Sequence, residues 1–306
     1  MHIPESMLQG GICPFSAALA VVGISAAGFF AFRTKARPTA SRFGAITALI
    51  FATQAMNFPI LHGTSGHLLG GVLAASLLGT PFGVLAIALV VAIQSLIFAD
   101  GGLVPLGANL LNMALIGAGL GGLIGSGVTA CWPGRPRLVL AFAAWVSVVL
   151  ASIAVGIELA VDGQLAFASV MPAMLGIHIL IGFGEALLTV AACALFGTRA
   201  EPAGDKVLAP LSVAFLLALI ASPWASPWPD GLEWVAERYR FLHESAPLFV
   251  SPLADYRVAG LGEAFWSGSL AMLAGVLLCF TTAWMLARFM AVRLPSSLIR
   301  PFLRWL

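Results

Sequence analysis

The first two residues, Met1 and His2, bring three nitrogen donors together at the start of the chain. A free α-amine, the amide nitrogen of His2 and its imidazole can enclose one metal ion in fused chelate rings. This planar nitrogen set suits Cu(II) or Ni(II), which favour tetragonal geometry. We expect Met1 to be retained, because methionine is removed mainly before small residues. The alternative is that His2 is simply the second residue of a disordered terminus.

A glycine-rich turn at 61–71 carries two more histidines, His62 and His67. A single loop histidine is more often a hydrogen-bonding group than a ligand. His67 lies at the mouth of the next predicted helix, where its imidazole can complete a four-nitrogen plane with the N-terminal donors. Because His67 can act together with His2, we favour the interpretation that His67 is a metal ligand. His62 is either an entry ligand or a harmless substitution, and a site made by His62 and His67 alone is the alternative.

The composition indicates the kind of fold that must position these nitrogens. Of 306 residues, 60% are hydrophobic and only 9% are charged, and the mean hydropathy is +1.01. A soluble domain has about a quarter of its residues charged. We therefore predict an all-α polytopic membrane protein, because only helices satisfy the backbone of such spans in lipid. About nine spans are predicted, at 11–32, 43–60, 67–80, 82–99, 105–130, 138–160, 168–197, 207–223 and 265–291, of which the third is short.

The basic residues predict the orientation of these spans. If the segment after the first span is cytoplasmic, all but three of the 15 lysines and arginines fall inside. The exceptions, Arg238, Arg240 and Arg257, share one long loop. The N-terminus is then outside and the C-terminus inside, in a bacterial inner membrane crossed many times. The lipid bilayer is thus a partner, whereas basic residues spread along one membrane face do not indicate nucleic-acid binding.

A few polar residues stand out within or beside the spans. His178 and Glu185 are seven residues apart in one predicted span and share a helix face. They are either a proton- or metal-handling pair or, as we prefer, part of a structural hydrogen-bond network. A ligating imidazole needs a partner for its other nitrogen. Candidates for that role are Asn57, Thr64, Ser65 and Asn109, while Gln54, Gln94 and Asn112 are interhelical or supporting groups.

Several short motifs resemble one family of membrane proteins. They are MHIP at 1–4, NFPI at 57–60, GTSGHLLGG at 63–71, DGGL at 100–103 and LGANLLNM at 106–113. In order and spacing they are similar to the cobalt/nickel substrate-binding subunits of energy-coupling factor transporters. The resemblance covers roughly residues 1–200.

That resemblance implies a ligand set and an architecture. The metal would lie in a square plane made by the Met1 amine, the amide and imidazole of His2, and the imidazole of His67. The fold would be a seven-helix bundle, in which an N-terminal helix is added to six others and the terminus is tucked back into the bundle. The transported substrate would be Ni(II), with Co(II) as the alternative, and no organic cofactor is expected.

A polar linker at 198–206 precedes two further predicted spans, so we predict a metal-binding domain at 1–200 and an accessory domain at 201–306. The string PDGLE at 229–233 resembles the two-helix accessory subunit of nickel systems. The role of the external segment 224–264 stays open, between an accessory that helps to load or release metal and an amphipathic turn without chemical function.

The sequence also predicts what the chain does not do alone. It has no GxxxxGK[ST] phosphate loop and only two lysines, so we expect no ATP hydrolysis and no enzymatic role. The resemblance implies cytoplasmic ATPase subunits and a coupling membrane subunit as partners. A stand-alone secondary permease is the alternative, and an intramembrane enzyme is disfavoured because no catalytic set is present.

Overall fold

The computed structural model describes residues 1–60, 63–198, 206–241, 251–261 and 264–291. In this part the chain is almost entirely helical. The helices are α1 Ile12–Arg33, α2 Ala40–Gln54, α3 Gly71–Leu78, α4 Thr80–Phe98, α5 Leu106–Cys131, α6 Pro136–Val161, α7 Phe167–Phe196, α8 Leu208–Trp224, α9 Gly231–Tyr239 and α10 Phe265–Ala291. Two short strands, β1 Phe58–Pro59 and β2 Ser65–Gly66, pair antiparallel.

Six of these helices, α1, α4, α5, α6, α7 and α10, are long and apolar enough to cross a membrane. The prediction of a polytopic helical membrane protein is therefore confirmed. The three other predicted spans form the shorter helices α2, α3 and α8. The count of nine spans and the sides of the two termini stay predictions.

Two predicted span boundaries were wrong, for local reasons. The second span was predicted to reach residue 60, but α2 ends at Gln54. Pro59 has no N–H for a helix and disfavours helical geometry in Phe58, so the chain extends into β1 instead. The third span was predicted from 67, but α3 starts only after Gly70, whose left-handed φ of 72° stops a helix from beginning earlier.

The short α3 still brings the chain to the opposite end of the bundle. Arg42, at the start of α2, donates a hydrogen bond to the carbonyl of Leu77, at the end of α3, at 3.4 Å. Arg37 donates to the carbonyl of Met290 at the end of α10, at 2.9 Å. The segment after α1 and the ends of α3 and α10 therefore lie at one end of the bundle, which is the end predicted to be cytoplasmic.

The C-terminal helix α10 belongs to the same core as the N-terminal bundle. It packs along α2, most of whose residues are fully buried. A Cβ atom on Gly275 of α10 would collide with the ring of Phe51 in α2, so the two helices approach closely there. Phe51 in turn packs against Phe98 and Tyr256. The C-terminal third of the chain is thus integrated into the bundle at this contact.

Candidate metal centre

The first eight residues of the N-terminal segment before α1 are buried or half-buried in the bundle. The side-chain amide of Asn109 accepts from the N–H of Ile3 at 2.8 Å and donates to its carbonyl at 3.1 Å. The carboxylate of Glu5 accepts from the N–H of Leu103 at 2.6 Å. Gly101 has a φ of +85°, and a Cβ there would press on His2 and Asn109. These contacts hold the chain terminus against the 100–109 segment.

The amine of Met1 meets two groups from distant parts of the chain. It contacts Nε2 of His67 directly, and it donates to Oδ2 of Asp230 at 2.6 Å. The ring of His2 stacks on that of His67, with centroids 5.3 Å apart and planes inclined by 25°. Met1, His2 and His67 are each less than 9% exposed. The structure therefore brings together the three residues that the sequence singled out.

Polar contacts orient each imidazole. Nδ1 of His67 lies 3.1 Å from the carbonyl of Leu68, which can only accept, so the proton is on Nδ1 and the lone pair is on Nε2. Nε2 of His2 lies 3.1 Å from Oε1 of Gln94. Gln94 is itself oriented by Tyr256, whose hydroxyl accepts from its NH₂ group at 3.1 Å. Nδ1 of His2 lies 3.1 Å from Oδ1 of Asp100, so both ring nitrogens of His2 are held beside an acceptor oxygen.

Nδ1 of His2 and Nε2 of His67 are the imidazole nitrogens that a fused chelate needs. A chelate through the Met1 amine, the His2 amide and His2 Nδ1 fills three consecutive corners of a square. The fourth ligand must then be adjacent to both the amine and the His2 ring. His67 meets this requirement, because it contacts the Met1 amine and stacks on the ring of His2. None of the hydrogen bonds between described residues uses the N–H of His2. Among the described residues, no cluster of three His, Cys, Asp or Glu side chains is suited to hold a metal ion.

Two carboxylates make the pocket favourable for a cation. Asp230 touches the amine, and Oδ1 of Asp100 lies 3.1 Å from Nδ1 of His2. The hydroxyl of Tyr256 donates to the other oxygen of Asp100 at 2.5 Å. The pocket has a volume of about 400 Å³, and its lining includes His2, His67, Asp100 and Asp230. A buried divalent ion would find two negative charges next to its nitrogen ligands.

The titratable groups of the pocket are shifted by burial and by one another. Burial lowers the pKa of His2 to about 4, so its imidazole is neutral at pH 7. Burial acts to raise the pKa of Asp230, but the positive Met1 amine and His67 outweigh it and hold this pKa well below its usual range. Burial and the charge of Asp230 raise the pKa of Glu233 to about 7.

None of the hydrogen bonds between described residues joins a predicted supporting residue to an imidazole of His2 or His67. Asn109 holds the backbone of Ile3, as described above. The carbonyl of Asn57 accepts from the N–H of Ser226 at 2.8 Å. The hydroxyl of Ser65 donates to the carbonyl of Trp228 at 2.7 Å, and that of Thr64 to Pro229 at 3.2 Å. These three residues thus bind the C-terminal part of the chain.

His178 and Glu185 each have separate contacts. The carboxylate of Glu185 accepts from the backbone N–H groups of Leu69 and Gly70. Nδ1 of His178 lies 2.8 Å from the carbonyl of Met174, and its Nε2 is buried without a hydrogen-bond partner among the described residues. The contacts of Glu185 agree with the structural interpretation that we preferred for this pair.

Sequence reasoning gave no role to Asp230, Asp100 or Tyr256, and it named Gln94 only as an interhelical or supporting group. Asp230 had a detectable signal, because an Asp followed three residues later by Glu233 is typical of a helix start. The structure confirms this capping box at α9. Nothing in that pattern indicates that the helix start lies against the N-terminus. His62 lies outside the described residues.

The fold and this pocket define a polytopic helical membrane protein whose buried N-terminus lies in a pocket with two imidazoles and two carboxylates. Residues 2–203 match the family described as the cobalt uptake substrate-specific transmembrane region, and residues 205–292 match the PDGLE domain. The chain therefore belongs to this family of transport proteins, in the form that is fused to a PDGLE domain.

Known relatives agree with this assignment. A protein of Archaeoglobus fulgidus named as a fused nickel transport protein, NikMN, is 32% identical over 94% of this chain and 99% of its own length. LarMN of Lactiplantibacillus plantarum, also named as a fused nickel transport protein, is 30% identical over 85% of this chain and 90% of its own. A crystal structure of a truncated transition metal transporter is 28% identical, with a TM-score of 0.57, over 63% of this chain and 97% of that one.

Proposed function

We propose that this chain is the substrate-binding subunit of an ATP-driven energy-coupling factor importer in a bacterial inner membrane, and that it captures Ni(II) from outside the cell. Residues 1–200 form the metal-binding unit, and residues 201–306 form an accessory unit. A coupling membrane subunit and cytoplasmic ATPase subunits supply the energy, because this sequence has no phosphate-binding loop of its own.

One structural observation supports the proposal of a metal site at the N-terminus. The amine of Met1 contacts Nε2 of His67, and the ring of His2 stacks on the ring of His67 beside it. We propose that the four ligands are the Met1 amine, the His2 amide nitrogen, His2 Nδ1 and His67 Nε2. In this set Gln94 and the Leu68 carbonyl orient the two rings, as partners of ligating histidines commonly do.

The choice of metal follows from the donors. A plane of four nitrogens suits low-spin Ni(II), and Ni(II) is bound more tightly than Co(II) by a common ligand set. The names of two relatives as nickel transport proteins support the same choice. Co(II) is the second candidate, because the matched family is described as one of cobalt uptake.

The test is a titration of the purified full-length chain with Ni(II), and separately with Co(II). We expect one Ni(II) per chain, bound more tightly than Co(II), with the visible absorption of a square-planar nitrogen complex. His67→Ala should weaken binding, and His2→Ala should weaken it further, because it removes the anchoring imidazole. Adding two residues before Met1 should be as damaging, since it moves the amine by roughly 7 Å.

His62→Ala is the matched control in the same loop. It should bind Ni(II) like the wild type. Undiminished binding by the extended chain would refute the N-terminal chelate, and loss of binding in His62→Ala would favour a site made by the two loop histidines.

A further inference from the structure

The residues between α8 and α9 dock onto the loop that carries His67. We call residues 226–231 the docking turn. The N–H of Ser226 donates to the carbonyl of Asn57, and the N–H of Ser65 donates to the carbonyl of Pro229, both at 2.8 Å. The hydroxyl of Ser65 adds a bond to the carbonyl of Trp228 at 2.7 Å. Backbone and side-chain bonds therefore fix the turn on this loop.

The other side of the docking turn packs against α7. A Cβ atom on Gly231 would lie 2.8 Å from Cδ1 of Ile181 and 3.3 Å from Nε2 of His178. Only a residue without a side chain fits between the turn and these two groups without a shift. The turn is thus wedged between the His67 loop and a membrane-spanning helix.

Asp230 lies within this wedged turn and uses both carboxylate oxygens. Oδ1 caps α9 by accepting from the N–H groups of Leu232 at 2.8 Å and Glu233 at 2.9 Å. Oδ2 accepts from the Met1 amine at 2.6 Å and lies 3.7 Å from Nε2 of His67. The helix cap fixes one oxygen, and that orientation directs the other toward the amine corner of the proposed site.

The charge of Asp230 also suits a bound metal. Two neutral imidazoles, a neutral amine and one deprotonated amide leave a divalent ion with a net charge of +1. The carboxylate of Asp230 offsets this charge in a buried setting, where an uncompensated charge is costly. An amine that is bound to a metal keeps N–H groups, so it can still donate to Oδ2.

We propose that Asp230 is a positioning residue of the metal site, and that the C-terminal unit controls the residence time of the metal through it. The carboxylate holds the Met1 amine beside His67. Undocking of the turn releases this corner of the chelate first, and the remaining ligands then release the ion. The metal part of this inference rests on the proposed function, whereas the holding of the amine does not.

The first experiment measures how fast the α-amine of the metal-free, full-length protein reacts with an acetylating succinimidyl ester. Mass spectrometry can follow Met1 separately, because the sequence has only two lysines. Asp230→Asn keeps a capping oxygen for α9 but loses the charge. We expect it to react about tenfold to a hundredfold faster, as for the loss of one charge-assisted hydrogen bond.

Two further variants separate the carboxylate from its placement. Gly231→Val leaves Asp230 intact but forces the turn away from Ile181 and His178, so it should also expose the amine. Glu237→Gln removes a carboxylate on the exposed face of the same helix, α9, and should react like the wild type. If Asp230→Asn and Gly231→Val react at the wild-type rate, Asp230 does not hold the amine and the inference is overturned.

The second experiment follows the release of Ni(II) to an excess of chelator in the same variants. Asp230→Asn and Gly231→Val should release Ni(II) about tenfold faster or more, while the absorption spectrum of the bound ion stays unchanged because all four nitrogens remain. Unchanged release rates in both variants would overturn the control of residence time. If the wild type binds no Ni(II), the proposed function fails, and the amine measurement still decides whether Asp230 positions Met1.

Discussion

The carboxylate of Glu185, within α7, accepts a hydrogen bond from the backbone N–H of Leu69 at 2.6 Å. Its other oxygen accepts from the N–H of Gly70 at 2.8 Å. These two amides come directly after His67 and Leu68, where no helix has yet begun. A carboxylate in a membrane-spanning helix thus satisfies an irregular backbone segment, which in a membrane is tolerated only where it has internal partners. Glu185 thereby fixes the loop on which His67 stands.

We expect Glu185→Gln to weaken Ni(II) binding by about tenfold or more. Glutamine offers one oxygen where two N–H donors need acceptors, and one buried donor without a partner costs roughly 1–3 kcal/mol. Titration of the purified variant with Ni(II) measures the effect. Glu158→Gln is the control, because Glu158 is a buried carboxylate bonded to Asn112 in a different part of the bundle. Equal affinities for Glu185→Gln and the wild type would contradict a role in positioning His67.

The orientation of His2 is predicted to depend on a chain of hydrogen bonds. Tyr256→Phe removes the hydroxyl that fixes the side-chain amide of Gln94, and Gln94→Leu removes the acceptor for His2 itself. Each should weaken Ni(II) binding, by about threefold to thirtyfold, because each loosens the His2 ring. Tyr256 reaches this ring through Gln94 and also through Asp100, whose Oδ1 lies 3.1 Å from Nδ1 of His2. The double variant should therefore lose less than the sum of the two single losses, since both residues act through the contact of Gln94 with His2. Fully additive losses in this double-mutant cycle would show that Tyr256 acts by another route.

The affinity for Ni(II) should fall as the pH falls. Binding displaces a proton from the His2 amide, so the metal competes with at least one proton. The His2 ring adds little above pH 5, because its pKa is lowered to about 4 and the ring is already neutral. The logarithm of the affinity should therefore rise with pH with a slope of at least one. A slope near zero between pH 6 and 8 would indicate carboxylate ligands instead.

The sequence was sufficient for the fold class and for the residues of the proposed site. Uninterrupted apolar stretches predict the long helices α4 to α7 within a few residues. His2 and His67 were identifiable because few histidines exist in the chain and two of these stood in unusual settings. The sequence did not predict the residues at which α2 ends and α3 begins. Gly70 and Pro59 can be recognised in the sequence as residues that interrupt helices. Whether the chain is irregular next to Gly70 also depends on a hydrogen-bond partner for its backbone, and that partner, Glu185, lies more than a hundred residues away.

The position of Asp230 was beyond sequence reasoning for a related reason. Its helix cap is a local property and can be recognised from 229–233 alone. Its contact with Met1 depends on how the docking turn fits between Ser65 and the neighbours of Gly231 on α7. The same holds for Thr64 and Ser65, which were predicted to support the imidazoles. Their hydroxyls bond to carbonyls of the docking turn, so their partners come from a unit that was predicted to be separate.

The orientation of the chain in the membrane can be tested with a native side chain. All four cysteines lie in the described part of the chain, and among them only Cys131 is exposed, at the end of α5. The predicted topology places this end in the cytoplasm. In intact cells, an impermeant maleimide should therefore leave the wild-type protein unlabelled. In inverted membrane vesicles the same reagent should label Cys131, and Cys131→Ala should abolish this labelling.

A cysteine at the opposite end completes the test. Gln9 is exposed just before α1, and its backbone N–H bonds to Asp162 at the end of α6. In a Cys131→Ala background, Gln9→Cys should be labelled in intact cells, because the N-terminal end is predicted to face outside and to receive the metal there. In intact cells the predicted topology requires labelling of Gln9→Cys and no labelling of the wild type by the same reagent. Poor access of the reagent to the cells would leave both proteins unlabelled, so it cannot produce this result. If intact cells instead label the wild type at Cys131 and leave the Gln9→Cys variant unlabelled, the topology is reversed and, with it, the direction from which Ni(II) reaches Met1, His2 and His67.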